Sequence, residues 1–168
     1  MVTGSVVSSI QGEPRSTQDI DMVIVLEKQA VGLLSQSFAK DVFYINEDSM
    51  VEAVDQQSMF NLIDNTAGNK VDFWLLTSDP FDQARFARRR NAEVLGLDNF
   101  YIKTPEDTIL SKLRWAKLSG GREKQSTDAT RVFEMQFDRL DIDYIKHWIS
   151  QMALQTQWEQ LISRADPY

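Results

Sequence analysis

The sequence predicts an α/β (α+β) protein with a small mixed sheet flanked by helices and a helical C-terminal region. Three observations carry this. "DIDMVIVL" and "KVDFWLL" are strongly apolar runs of strand length, each holding acids. Short segments with apolar residues at helical spacing separate the strand-like runs, and beyond residue 104 only helical patterns remain. The domain expectation is therefore a sheet-bearing core, 1–103, with a helical region, 104–168, packed on it.

Taken in order, Met1 to Thr3 reads as a very short strand, and Gly4-Ser5 opens a short helix. So short a first strand leads us to expect that a preceding helix has been lost or lies outside this reading frame. "GEPRSTQ" makes a turn into a strand from Asp19 to Leu26. In it Ile20, Met22, Ile24 and Leu26 share one face, and Asp19, Asp21, Val23 and Val25 share the other. Both faces become apolar after Asp21, as in a central strand covered on both sides whose polar beginning emerges into a cleft.

Residues 28–39 carry Ala30, Leu33, Leu34 and Phe38 at helical spacing; 42–45 reads as a strand and 48–57 as a helix. "MFNLID", the turn "NTAGN" and "KVDFWLL" form a hairpin, with Gly68-Asn69 supplying the turn chemistry and Val71 to Leu76 the second apolar strand. The stretch 81–90 is amphipathic and basic, and "AEVLGLDNFYIK" suggests another hairpin. Thr104 is placed to cap a helix that has Pro105 at its first position and acids in its first turn, and Gly120-Gly121 stops it. Further helices are expected near 125–137, 142–153 and 156–164, with Trp115, Phe133, Phe137, Trp148 and Trp158 as core between them.

Composition narrows the chemistry. The chain has 168 residues, no cysteine and one histidine, His147, which removes disulfides, thiolate or multi-histidine zinc sites and cysteine nucleophiles. Any metal is then held by carboxylate oxygen, which suits magnesium, manganese or calcium. A net charge of −7 argues against a generally basic nucleic-acid coat. No run approaches the roughly 20 apolar residues of a membrane span, and the first fifteen residues lack a signal-peptide pattern. A cytoplasmic protein without a membrane partner is the expectation.

Asp19 and Asp21, two apart on a strand, project from one face with Cα atoms about 6–7 Å apart and can reach one metal site. A third carboxylate from a neighbouring strand would complete a clamp for two divalent ions, the arrangement that supports in-line phosphoryl displacement. Asp72 is the candidate, because an unpaired acid in so apolar a strand is costly; Asp64 is its rival. Gly4 and Ser5 at a helix start offer backbone amides and a hydroxyl to phosphate oxygens, although Ser5 also suits a plain helix cap. Arg15 lies between these features and can neutralise a leaving group or be a solvated turn residue.

"TGS", "GEPRSTQDIDMVI" and "KVDFWLL", in that order, resemble the DNA polymerase beta type nucleotidyltransferase superfamily. "PRST" before "DID" and "TPEDTILSKLRW" downstream are similar to its bacterial branch related to abortive-infection toxin nucleotidyltransferases. The resemblance covers most of the chain and makes 1–103 the nucleotidyltransferase core. It implies that Asp19, Asp21 and Asp72 are catalytic and bind Mg2+ or Mn2+, and that Gly4 and Ser5 hold a nucleoside triphosphate. It also brings Lys112 and Asp128 to the site, residues that by spacing alone read as a solvated lysine and a dipole-compensating acid. Relatives usually carry a helix before the Gly-Ser strand, the element expected above to have been lost or to lie outside this reading frame.

The function so implied is metal-dependent transfer of a nucleoside monophosphate from the triphosphate to an acceptor hydroxyl on RNA, protein or a small molecule. The alternatives are a catalytically silent nucleotide-binding or regulatory relative, and the toxin of a toxin-antitoxin pair acting on RNA, with an antitoxin as partner. The last draws on Arg85, Arg88, Arg89 and Arg90, which otherwise read as a solvated helix face. A second "DID", Asp141 to Asp143, stands before a helical pattern and reads as a cap. His147 has no partners for chemistry.

Overall fold

The computed structural model describes residues 1–14, 16–17, 19–94, 96–120 and 123–166. The chain forms two compact units, one of Met1–Val6 with Ser16–Ile102, the other of Val7–Arg15 with Lys103–Tyr168.

In the first unit the described residues give seven strands in one sheet: β1 (Val2–Thr3), β2 (Asp19–Ile24), β3 (Phe43–Ile45), β4 (Met59–Asp64), β5 (Lys70–Leu75), β6 (Arg90–Val94) and β7 (Leu97–Ile102). Their order is β3-β4-β5-β2-β1-β7-β6, which puts β2 at the centre. β2 runs parallel to β5 and antiparallel to β1, and β1 runs parallel to β7. The mixed α/β expectation holds. One sheet face is covered by a core of Val31, Met50, Ala53, Phe60, Leu62, Phe73 and Leu75, drawn from β4, β5, α2 (Val31–Gln36) and α3 (Glu47–Gln56). Asn46 caps α3 by accepting from the Ser49 amide at 2.8 Å, and Asp79 caps α4 (Pro80–Ala87).

Two sequence expectations shift here. β2 ends at Ile24, where its pairing with Leu75 ends, so Val25 is 65% exposed instead of continuing the strand to Leu26. The expected helix over 28–39 is a 3-10 turn, Lys28–Ala30, followed by the short α2. Val31 and Ser35, four apart, take its buried face. Leu33 stands about 200° around the helix from Val31 and is exposed.

The first helix, α1 (Gly4–Gln11), begins in the sheet unit, and its later turns belong to the second unit. That unit also holds α5 (Pro105–Leu118), α6 (Glu123–Gln136), α7 (Ile142–Gln151) and α8 (Gln155–Arg164). Thr104 caps α5 through the Asp107 amide, and the first acid of the second "DID", Asp141, caps α7 through the Tyr144 amide. Ile109, Leu110, Leu113, Val132, Phe133, Ile145 and Leu161 are buried in this unit. Phe133 meets Phe137 and Trp158 edge-on. Trp115 and Phe137 are not core residues, however. Both are largely exposed, Trp115 because it stands two residues, about 200°, around α5 from the buried Leu113. Among the described residues no helix is long and apolar enough to cross a membrane.

Candidate active site

The register of the two apolar strands decides what their acids can do. Asp21 on β2 is the direct partner of Asp72 on β5, and Asp19 is the partner of Lys70. Registered neighbours share a sheet face, about 4.8 Å apart across the strands. Asp21 and Asp72 therefore stand side by side, with Asp19 on the same face one pleat earlier. The row extends to Thr3 on β1 and Asn61 on β4, giving Thr3, Asp21, Asp72 and Asn61 across four strands.

Each acid has a distinct setting. Asp72 is buried; it accepts a hydrogen bond from Asn61 Nδ2 and pairs with Lys70 Nζ at 3.1 Å. Asp21 is half-buried and accepts from Trp74 Nε1 at 3.2 Å. Asp19 is exposed. The Asp72 hydrogen bond holds the Lys70 ammonium above its ordinary 10.5, against the opposing effect of burial, and the charges of Asp72, Asp19 and Asp21 add to it. One protonated amine thus sits in the field of all three acids.

Gly4 closes the other side of Asp21. Its φ is +63°, and a Cβ built there would fall 1.9 Å from Asp21 Oδ2, so glycine is required both by backbone conformation and by the close approach. Ser5 follows in the first turn of α1. Carboxylate oxygens are the donors a hard divalent cation takes, and here one of those on Asp72 pairs with the Lys70 ammonium. As placed, no three acidic or imidazole side chains among the described residues are gathered closely enough to hold a metal.

Asp64 and Lys112 have partners of their own. Asp64, the rival third acid, organises the β4–β5 turn by accepting from the Thr66 amide and hydroxyl and the Ala67 amide. Lys112 is in the second unit, where its buried ammonium bonds Asp128 Oδ2 at 2.6 Å; it is not the solvated lysine that spacing alone suggested. Ser8 Oγ stands 3.5 Å from the same oxygen. Arg15 lies outside the described residues. Of the arginine cluster, Arg85 pairs with Asp82 at 2.8 Å, Arg89 stacks over the rings of Phe86 and Tyr101, and Arg90 begins β6 instead of ending the helix. Asn61, Lys70 and Trp74 were not singled out from the sequence. Lys70 and Trp74 flank Asp72 at two-residue spacing, which already places them on its face; Asn61 required the hairpin register.

Comparison with solved structures gives a match over 99% of this chain and 85% of the other, with TM-score 0.54 and 13% identity, to an antigenic nucleotidyltransferase-like protein from Paracoccidioides brasiliensis. The fold is nucleotidyltransferase-like. At that identity the likeness concerns the fold and not the chemistry. No protein-family model matches the chain, and no curated protein matches it in sequence. The nucleotidyltransferase-like sheet is the frame on which Asp21 and Asp72 become neighbours.

Proposed function

We propose that the protein is a metal-dependent nucleotidyltransferase that moves a nucleoside monophosphate from a nucleoside triphosphate to an acceptor hydroxyl. The observation that carries this reading is the Asp21–Asp72 register, with Asp19 on the same face and Gly4 against Asp21. Asp19, Asp21 and Asp72 would hold Mg2+ or Mn2+, which when bound neutralises phosphate charge and lowers the pKa of the acceptor hydroxyl. Gly4 and Ser5, at the start of α1, present backbone amides to the triphosphate.

Asn61 and Trp74 fix the two carboxylates through hydrogen bonds, so the acids keep their orientation as the charge beside them changes. Lys70 balances that charge until the phosphates and their cation arrive. The acceptor oxygen forms a bond to the α-phosphorus as the bond to the bridging oxygen breaks; pyrophosphate departs with the electron pair, and the hydroxyl proton passes to water.

One observation favours a second reading, a silent nucleotide-binding relative: Lys70 already supplies Asp72 with a positive charge. Incubating the protein, magnesium and each α-labelled nucleoside triphosphate with cell extract separates the two. Label transferred by the wild type and not by Asp72→Asn supports the enzyme. Nucleotide binding without transfer supports the silent relative.

A further inference from the structure

Each of the two registered acids has one oxygen tied to a neighbouring N–H. Asp72 Oδ1 accepts from Asn61 Nδ2, and Asp21 Oδ1 accepts from Trp74 Nε1 at 3.2 Å. The second oxygens turn elsewhere. Asp72 Oδ2 pairs with Lys70 Nζ at 3.1 Å, and Asp21 Oδ2 is the atom that a Cβ on Gly4 would strike. The two donors are set by the sheet. Asn61 on β4 is the registered partner of Asp72, and Trp74 stands two residues beyond Asp72 on β5, which puts it on the same face. Both strands have a neighbour on either side, and both side chains are half-buried. An indole Nε1 only donates and a carboxylate only accepts, so neither contact can reverse its sense.

These tethers limit how each carboxylate meets a cation. Bidentate ligation brings both oxygens of one carboxylate to the ion, and turning Oδ1 toward it would break the hydrogen bond that holds it. Ligation through Oδ2 alone leaves both tethers in place. It requires only that Lys70 withdraw from Asp72, and the Lys70 side chain is 37% exposed, so its ammonium has solvent to move into. Asp19 is exposed and stands outside this constraint.

Composition alone left magnesium, manganese and calcium open, and the tethers distinguish them. Ca2+ gathers about six to eight oxygens and accepts bidentate carboxylates, whereas Mg2+ holds to an octahedron built from one or two carboxylates with substrate phosphates and water. Mn2+ is also served by octahedral oxygen sites. Two tethered carboxylates offer an ion between them one oxygen each, which suits the smaller ions and serves calcium poorly. Resting on the nucleotidyltransferase reading, we infer that Asn61 and Trp74 are the selectivity residues of the metal site: by holding Asp72 and Asp21 to one oxygen each, they favour Mg2+ or Mn2+ over Ca2+.

Competition read by electron paramagnetic resonance of Mn2+ tests this, with Ca2+ titrated against Mn2+ and a non-hydrolysable nucleoside triphosphate, in the presence and absence of protein. Wild type should favour Mn2+ at least fivefold more strongly than the nucleotide does alone. Trp74→Phe, which keeps an aromatic ring and removes the Nε1–H, and Asn61→Ala should each lower that preference at least threefold by tightening Ca2+. The double variant should lower it further, and melting curves confirm that each protein folds. A role confined to stability would weaken both ions together and leave their ratio unmoved. An unchanged ratio in the folded variants therefore overturns the inference, as does a wild type no more selective than the nucleotide. Absence of nucleotide-dependent Mn2+ binding by the wild type sinks the nucleotidyltransferase reading and this inference with it, whereas Mn2+ binding with an unmoved ratio sinks the selectivity role alone.

Discussion

Gly4 and Asp21 are packed so closely that any side chain at residue 4 would overlap the Asp21 carboxylate. Gly4→Ala meets two obstacles, the left-handed backbone, which costs about 1–2 kcal/mol for a residue with a Cβ, and the clash with Asp21. The melting temperature should fall by several degrees, and Mn2+ binding should weaken because Asp21 is displaced. Calorimetry of both properties on the same preparation checks this; unchanged metal affinity would mean that the close approach has no bearing on the site.

Lys70 occupies the charge environment that a divalent ion would enter. Replacing it by Met removes a competitor for Asp72. Mn2+ affinity measured without nucleotide should rise by roughly fivefold, the scale of about 1 kcal/mol expected for a partly exposed ion pair. A fall in affinity would show that Lys70 supports the acids and does not compete for them.

The Lys112–Asp128 pair is buried within the helical unit. Removing one member takes a counter-ion from a buried charge, so Lys112→Met or Asp128→Leu should each destabilise the protein by about 3–5 kcal/mol. The double variant should recover much of the loss. Urea titrations of the three variants measure the coupling directly, and additive losses would contradict it.

Asp64 supplies a pH dependence apart from the acids of the candidate site. The Thr66 hydroxyl, then the Ala67 and Thr66 amides, hold its carboxyl below the ordinary 3.8. A depressed folded value means that its contribution is fully present above the unfolded pKa and is lost as pH falls through the folded one. Asp64→Asn should therefore flatten the acid limb of the stability profile below about pH 4 and leave the neutral region parallel to wild type. Stability profiles of wild type and variant that stay parallel down to pH 2 would refute this.

Much of the sheet was legible because β2 and β5 announce themselves by apolar length, and the caps at Thr104 and Asp141 by residue type and spacing. The third acid could be chosen because burial makes Asp72 expensive without a purpose or a partner. What the linear chain withheld was pairing. Asn61 becomes a neighbour of Asp72 only through the hairpin register, and the Lys112–Asp128 contact requires two helices to meet. Trp115 failed as a core candidate because an apolar residue at helical spacing has a buried face only where another element packs against it.

The central claim is that Asp21 and Asp72 share a divalent cation beside a nucleotide. Electron paramagnetic resonance of Mn2+, titrated with a non-hydrolysable nucleoside triphosphate into wild type, Asp21→Asn and Asp72→Asn, tests it most directly. The account predicts saturable nucleotide-dependent Mn2+ binding in the wild type and at least a tenfold loss in each variant that keeps its fold. Equal binding by all three proteins, or none by the wild type, would contradict it.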